Sequence, residues 1–141
     1  MVIRRANKED FSILFDYIEK LWAYNQYDKS RVKALFEEIV NDRNSFVFLL
    51  EDAGCKGFIH GCLMNTFWMS GKTCYISSLF VEESEREKGY GGNLLQHVKK
   101  YASECNCKAL ILDSGFPREE AHRFYENLGF EKSCYGFEMI L

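Results

Sequence analysis

Residues 86–95 read REKGYGGNLL, three glycines in four positions, set shortly after the strand-like run YISSLFV (residues 75–81) and directly before an apolar helical pattern. A strand that passes into a helix through glycine can do more than turn. The first amides of a helix have no acceptor within it and carry the positive end of its dipole, while glycine lets backbone approach a ligand closely. Phosphate is the natural guest of such a turn. Three phosphate-binding patterns can be tested, because each places its glycines and charges differently. The dinucleotide pattern GxGxxG takes Gly89 and Gly91 but meets Leu94 where its third glycine belongs. The P-loop needs its lysine after the glycines, whereas Arg86 and Lys88 precede them. The pattern R/QxxGxG/A is met by Arg86, Gly89 and Gly91.

Working outward, Val2 to Arg5 reads as a short strand, and Asn7 with Asp10 three residues on suits a helix start. Phe11, Leu14, Phe15, Ile18, Leu21 and Trp22 then follow at helical spacing. A polar break from Asn25 to Lys29, with Ser30 as cap, leads to a second stripe of Val32, Leu35, Phe36, Ile39 and Val40. Residues 45–51, 57–67 and 73–82 are aromatic and β-branched runs separated by DAG and SG turns, which predicts three antiparallel strands. After the glycine turn, Leu94, Leu95, Val98, Tyr101, Ala102 and Cys105 line one side of a helix, and Ala109 to Leu112 is a short buried-strand run. A last helix carries Ala121, Phe124, Tyr125 and Leu128 between Pro117 and Gly129, and residues 130–133 and 137–141 suit a closing hairpin. The predicted order is strand, two helices, three strands, helix, strand, helix and two strands. This is an α/β (α+β) domain with a mixed central β-sheet flanked by about four helices.

The chain has 141 residues, enough for one core and too few for two, so a single domain over residues 1–141 is expected. Its 47% hydrophobic, 16% aromatic and 28% charged composition is globular, with no run near the roughly 20 apolar residues of a membrane span and no leader-like start. A cytoplasmic location is expected. The net charge of -3 is spread among interspersed acids and bases, which argues against nucleic acid and membrane partners and suits a small or cationic one. Six cysteines without an export signal are expected as free thiols, and the CxC of Cys105 and Cys107 lacks the companions of a zinc site, so no metal is expected.

The segment LFVEESEREKGYGGNLL resembles the strand, pyrophosphate loop and helix of the GNAT N-acetyltransferase superfamily, and AHRFYENLGF resembles that family's later helix, with its tyrosine and glycine-aromatic pair. SGFPREEAHRFYENLGF is similar to a small-molecule subgroup that includes the aminoalkylphosphonate N-acetyltransferases. The resemblance implies acetyl-CoA as cosubstrate, held by Arg86, Glu87, Lys88, Gly89, Tyr90, Gly91 and Gly92 and by the backbone of Leu79, Phe80 and Val81, with Arg118 and Tyr125 nearby. Glu87 departs from the family, which usually has glycine there.

The implied reaction is direct attack of an amine on the thioester. It needs a neutral amine, donors for the oxyanion and a proton for the departing thiolate. Tyr125 occupies the position associated with that proton, and a phenol is protonated at neutral pH. The usual glutamate base is replaced by Tyr75, which leaves Glu82, Glu83, His60 and Tyr75 as base candidates. Trp22, Tyr24, Tyr27 and Asp28 near the end of the first helix, with Phe67 and Trp68 in the strands, form a set suited to a cationic amine. The expected function is therefore acetyl transfer to a primary amine of a small molecule. Protein or peptide N-acetylation and a non-catalytic acyl-CoA-binding sensor are the alternatives, and a homodimer is compatible with the apolar C-terminal segment.

Overall fold

A strand buried on both faces is apolar at every position instead of alternating, and Phe46 to Leu50 are all buried, so this run belongs inside a sheet. A computed structural model describes residues 1–141 and places it there. The elements in chain order are β1 (Val2–Arg5), α1 (Phe11–Leu21), α2 (Lys29–Asn41), β2 (Ser45–Glu51), β3 (Cys55–Thr66), β4 (Gly71–Val81), α3 (Tyr90–Glu104), β5 (Cys107–Leu112) and α4 (Glu119–Asn127), with short 3-10 turns at Lys8–Asp10 and Glu83–Glu85. The five strands lie in the order β1-β2-β3-β4-β5, antiparallel through the first four. The helical connection α3 between β4 and β5 is the kind that parallel neighbours require, which makes the sheet mixed.

The chain forms two compact units, Met1–Ile111 and Leu112–Leu141. In the first, one sheet face is covered by α1 and α2. Phe11, Leu14, Phe15, Tyr17 and Phe36 from these helices pack with Val47, Leu49, Phe58 and Phe80 from the sheet. Tyr17 anchors this layer: its ring lies 4.8 Å from Phe80, and its buried hydroxyl donates to the Cys55 carbonyl at 2.9 Å, so the hydroxyl is not left unpaired in the core. The opposite face carries α3 through Leu94, Leu95, Val98 and Ala102. There Phe46 and Phe48 meet the Tyr101 ring edge-on at 5.4 and 5.3 Å, and the Arg5 guanidinium lies 5.1 Å from the same ring.

The β3–β4 pairing is interrupted once. His60 opposes Ser78 but Gly61 opposes Ile76, so Ser77 is an extra residue in β4 without a partner on β3. Gly61 is required at this point, because a Cβ there would run into the Tyr75 carbonyl oxygen and approach Phe46 Cζ to 2.6 Å.

Two local expectations are revised. Asp28, not Ser30, caps α2, its carboxylate accepting from the Ser30 and Arg31 amides at 3.0 and 3.3 Å. The closing hairpin does not form: no strand follows α4, and Tyr135, Phe137, Met139, Ile140 and Leu141 are exposed. Alternating apolar residues define a strand only when a partner buries one face and fixes the register. In the second unit Gly129 does end α4 as expected, with its own amide donating to the Glu126 carbonyl and the Phe130 amide to Tyr125.

Candidate active site

The glycine turn lies where the sequence puts it, between the end of β4 and the first turn of α3. Gly89 occupies the N-cap position at φ +84, a left-handed conformation that glycine takes without strain, and no side chain caps the helix. The α3 amides that lack an intrahelical acceptor therefore also lack a side-chain acceptor. Tyr90, the first residue of α3, is fixed by its hydroxyl, which donates to Asp52 Oδ2 at 2.7 Å; the same bond holds the Asp52 carboxyl below its ordinary range.

The charges around the turn are sorted by their partners. Lys88 and Lys56 both bind Glu85, at 2.7 and 3.0 Å, and these bonds depress the Glu85 carboxyl. Arg86 has no carboxylate partner. Its Nε donates to the Val81 carbonyl at 3.3 Å, which holds the guanidinium at the mouth of β4 with its positive charge unpaired. Glu87 is exposed, at φ +64. The position where the family pattern has glycine is thus left-handed here, a conformation that disfavours a side chain by about 1 kcal/mol.

The bulge at Ser77 sets which side chains of β4 share a face. Directly opposed residues point to the same side of a sheet, and His60 opposes both Val47 on β2 and Ser78 on β4. Val47 belongs to the layer under α1 and α2, as do Phe58 and Phe80, so His60 and Ser78 belong to that face. Tyr75, opposed to Cys62, joins them there, because the extra residue brings positions 75 and 78 to one side. Regular alternation would have paired Tyr75 with Ser77 and Leu79. The reading of the sequence missed this bulge; its only mark is the serine pair inside an otherwise apolar strand.

The four base candidates separate by environment. Glu82 is held by Lys20 through contacts of 2.9 and 3.0 Å, and Lys20 also pairs with Asp16 at 3.0 Å. Glu83 is exposed on the 3-10 turn. Tyr75 is half-buried on β4. His60 is half-buried, and burial pushes its imidazole below the ordinary histidine value, so it is neutral at pH 7.

Trp22, Tyr24, Tyr27 and Asp28 lie at the connection between α1 and α2, whereas Phe67 and Trp68 lie at the tip of the β3–β4 hairpin. Tyr27 packs edge-on against Phe15 at 6.5 Å, and Asp28 serves the α2 cap. Tyr24, Phe67 and Trp68 are exposed.

In the second unit Tyr125 sits on α4 beside the rings of Phe124 and Phe130, at 5.3 and 5.8 Å. Burial raises its phenol above the ordinary value, opposed by the nearby Arg118 charge, so it is a proton donor across the neutral range. Arg118 occupies the N-cap position of α4 and is exposed. His122 bonds the Gly115 carbonyl at 2.9 Å, a local structural role. No group of three or more His, Cys, Asp or Glu side chains is placed to hold a metal ion, and no helix is long and apolar enough to cross a membrane.

Known proteins give this geometry its context. The acetyltransferase (GNAT) family matches residues 8–130. The chain is 32% identical over 143 residues to the uncharacterized N-acetyltransferase YhfO of Bacillus subtilis (strain 168), a match that covers 94% of this chain and 91% of the relative. Among solved structures, a transcriptional regulator from Bacillus halodurans C-125 superimposes with a TM-score of 0.89 at 25% identity, covering 99% of each chain. The aminoglycoside N-acetyltransferase AAC(6')-Iy, solved in complex with CoA, superimposes with a TM-score of 0.87 at 19% identity, covering 99% of this chain and 93% of its own. With a strand, an uncapped glycine turn and a helix at the centre of a sheet of this order, the chain belongs to the acetyltransferase (GNAT) family and is an acetyl-CoA-dependent acyltransferase.

Proposed function

We propose that the protein acetylates a primary amine of a small molecule by direct attack of that amine on acetyl-CoA. The observation that carries this reading is the left-handed, uncapped turn at Gly89 with the unpaired Arg86 beside it. Helix amides and a free guanidinium suit a pyrophosphate. The residues of this turn, Arg86 to Gly92, bind the coenzyme, and the backbone of Leu79 to Val81 receives its pantetheine arm and the oxyanion. Tyr125 donates a proton to the departing thiolate. Residues 8–130 match the family across both compact units, which supports their acting as one acetyltransferase domain.

A small-molecule acceptor is supported by the aminoglycoside N-acetyltransferase among the fold neighbours and by the resemblance of residues 114–130 to the aminoalkylphosphonate subgroup. Tyr24, Phe67 and Trp68 offer exposed aromatic faces of the kind that attract a cation. The test is release of free CoA thiol from acetyl-CoA with sisomicin, 2-aminoethylphosphonate, spermidine, amino acids and peptides. A no-acceptor control corrects for the protein's six cysteines. Release with one of the small amines is expected. Release with peptides alone would make this a protein acetyltransferase. Calorimetric binding of acetyl-CoA with no release across the panel would make it a sensor.

A further inference from the structure

We propose that His60 is the proton acceptor that frees the attacking amine, directly or through one water; this rests on the acetyl-transfer reading above. Three observations converge on it. The register puts His60 directly opposite Ser78, next to the bulge at Ser77 and adjoining the Leu79–Val81 segment assigned to the coenzyme arm. Opposed residues have Cβ atoms about 5 Å apart, within reach of an imidazole or of one water beyond it. Bulges gather beside active sites, where they re-aim side chains and release backbone groups from the ladder.

The second observation is what His60 does not do. Its ring makes no hydrogen bond or ion pair within the protein, yet neither ring nitrogen is sealed from solvent. A histidine kept for structure ordinarily has a partner for its donor nitrogen, as His122 has in the Gly115 carbonyl. The third observation is elimination among the carboxylates. Glu82 is neutralised by Lys20, and Glu83 stands on the exposed turn beyond the strand end.

This face also carries Cys62 beside His60, Tyr75 on β4, Tyr17 with the Lys20–Glu82 pair on the α1 side, Cys55 and Tyr27 against the core layer, and the Arg4, Asp10 and Glu51 cluster. Burial keeps the Cys62 thiol and Tyr17 phenol protonated, and Lys20 and Glu82 cancel each other. His60 is displaced by burial alone. It is therefore uncharged at pH 7, with a lone pair available.

The protons balance as follows. The ammonium loses one proton to the imidazole, which passes it to water. The freed nitrogen pair forms the C–N bond and the thioester carbonyl opens to the oxyanion. When the carbonyl re-forms, the C–S bond breaks with its pair on sulfur. Nitrogen loses a second proton as the sulfur gains one, so the products are the amide, CoA thiol and one proton in water.

The experiment compares wild type with His60→Gln, using whichever of sisomicin, 2-aminoethylphosphonate or spermidine gives the most CoA release, from pH 5.5 to 9. Acetyl-CoA affinity is measured in parallel. The expected loss in kcat at pH 7 is about 100-fold, with acetyl-CoA affinity changed less than about threefold. The wild-type fall in kcat below about pH 6.5 should be absent in the variant. Equal turnover by both proteins overturns the role of His60 and leaves acetyl transfer standing. Loss of turnover together with loss of acetyl-CoA affinity makes His60 structural and also overturns it. Absence of release by wild type with these three amines and with the amino acids and peptides of the wider panel overturns the acetyl-transfer reading, and the base with it.

Discussion

Glu87 holds a left-handed backbone where a glycine would be at ease, and it puts a carboxylate beside the turn proposed to hold the coenzyme's pyrophosphate. The strain opposes folding, and the charge opposes the coenzyme binding proposed for this turn. Glu87→Gly should therefore tighten acetyl-CoA binding by about threefold through loss of a repelling charge, and should raise stability by roughly 1 kcal/mol through relief of backbone strain. Calorimetry with acetyl-CoA checks this, and weaker binding would argue against phosphate at the turn. Tyr125 makes the complementary prediction. Its phenol is half-buried and raised above the ordinary value, so Tyr125→Phe removes one proton donor and little volume. Turnover should fall at least about tenfold with acetyl-CoA affinity nearly unchanged; unaltered turnover would remove the acid role. Both residues are candidates that the sequence offers from their place in a motif. The sequence offers His60 only as one of four base candidates, because its pairing with Ser78, on which the proposal rests, is a property of the sheet.

At the scale of elements, the helices of the first unit divide by how they begin. Asn7 and Asp10 exchange bonds in a capping box before α1, and Asp28 caps α2, whereas α3 starts from a glycine with no side chain on its amides. Caps stabilise a helix; their omission at α3 keeps amides available to a ligand. Asp28→Ala should lower stability by about 1 kcal/mol, read as a lower urea midpoint, while leaving acetyl-CoA binding intact. Loss of coenzyme or acceptor affinity with unchanged stability would instead put Asp28 in a binding site. Helix stripes, the glycine turn and the strand runs were all legible because their periodicity is local. The bulge was not, because an extra residue has meaning only against the strand it faces.

At the scale of the molecule, Arg4 joins three parts of the first unit. It binds Asp10 at 2.8 and 2.9 Å and Glu51 at 2.7 and 3.0 Å, linking β1 to the start of α1 and the end of β2. The hydrogen bond from Arg4 holds the Asp10 carboxyl below its ordinary value. A depressed carboxylate contributes stability above its unfolded pKa of about 3.9, and that contribution fades as pH falls through the folded value. His60 and His97 are also depressed, by burial, so the unfolded chain takes up their protons first, from about pH 6.5 downward. Urea midpoints should thus decline in two stages on acidification. Asp10→Asn should lower the midpoint at pH 7, by about 1 kcal/mol, and flatten the stage below pH 4, leaving the histidine stage in place. A variant curve parallel to wild type below pH 4 would show that Arg4 and Asp10 are not coupled.

The amino-acid sequence determined the order of elements through α4, the position of the glycine turn and the family, because each rests on spacing within some 15 residues. Tertiary structure decided the rest. It gave Asp28 to a cap, brought Tyr75 and Ser78 to one face through the bulge, and set a partnerless His60 opposite Ser78. It also left residues 130–141 without the strands that their alternation suggests. In every one of these cases the outcome depends on which backbone lies alongside, and a strand acquires its faces and register only from its neighbour.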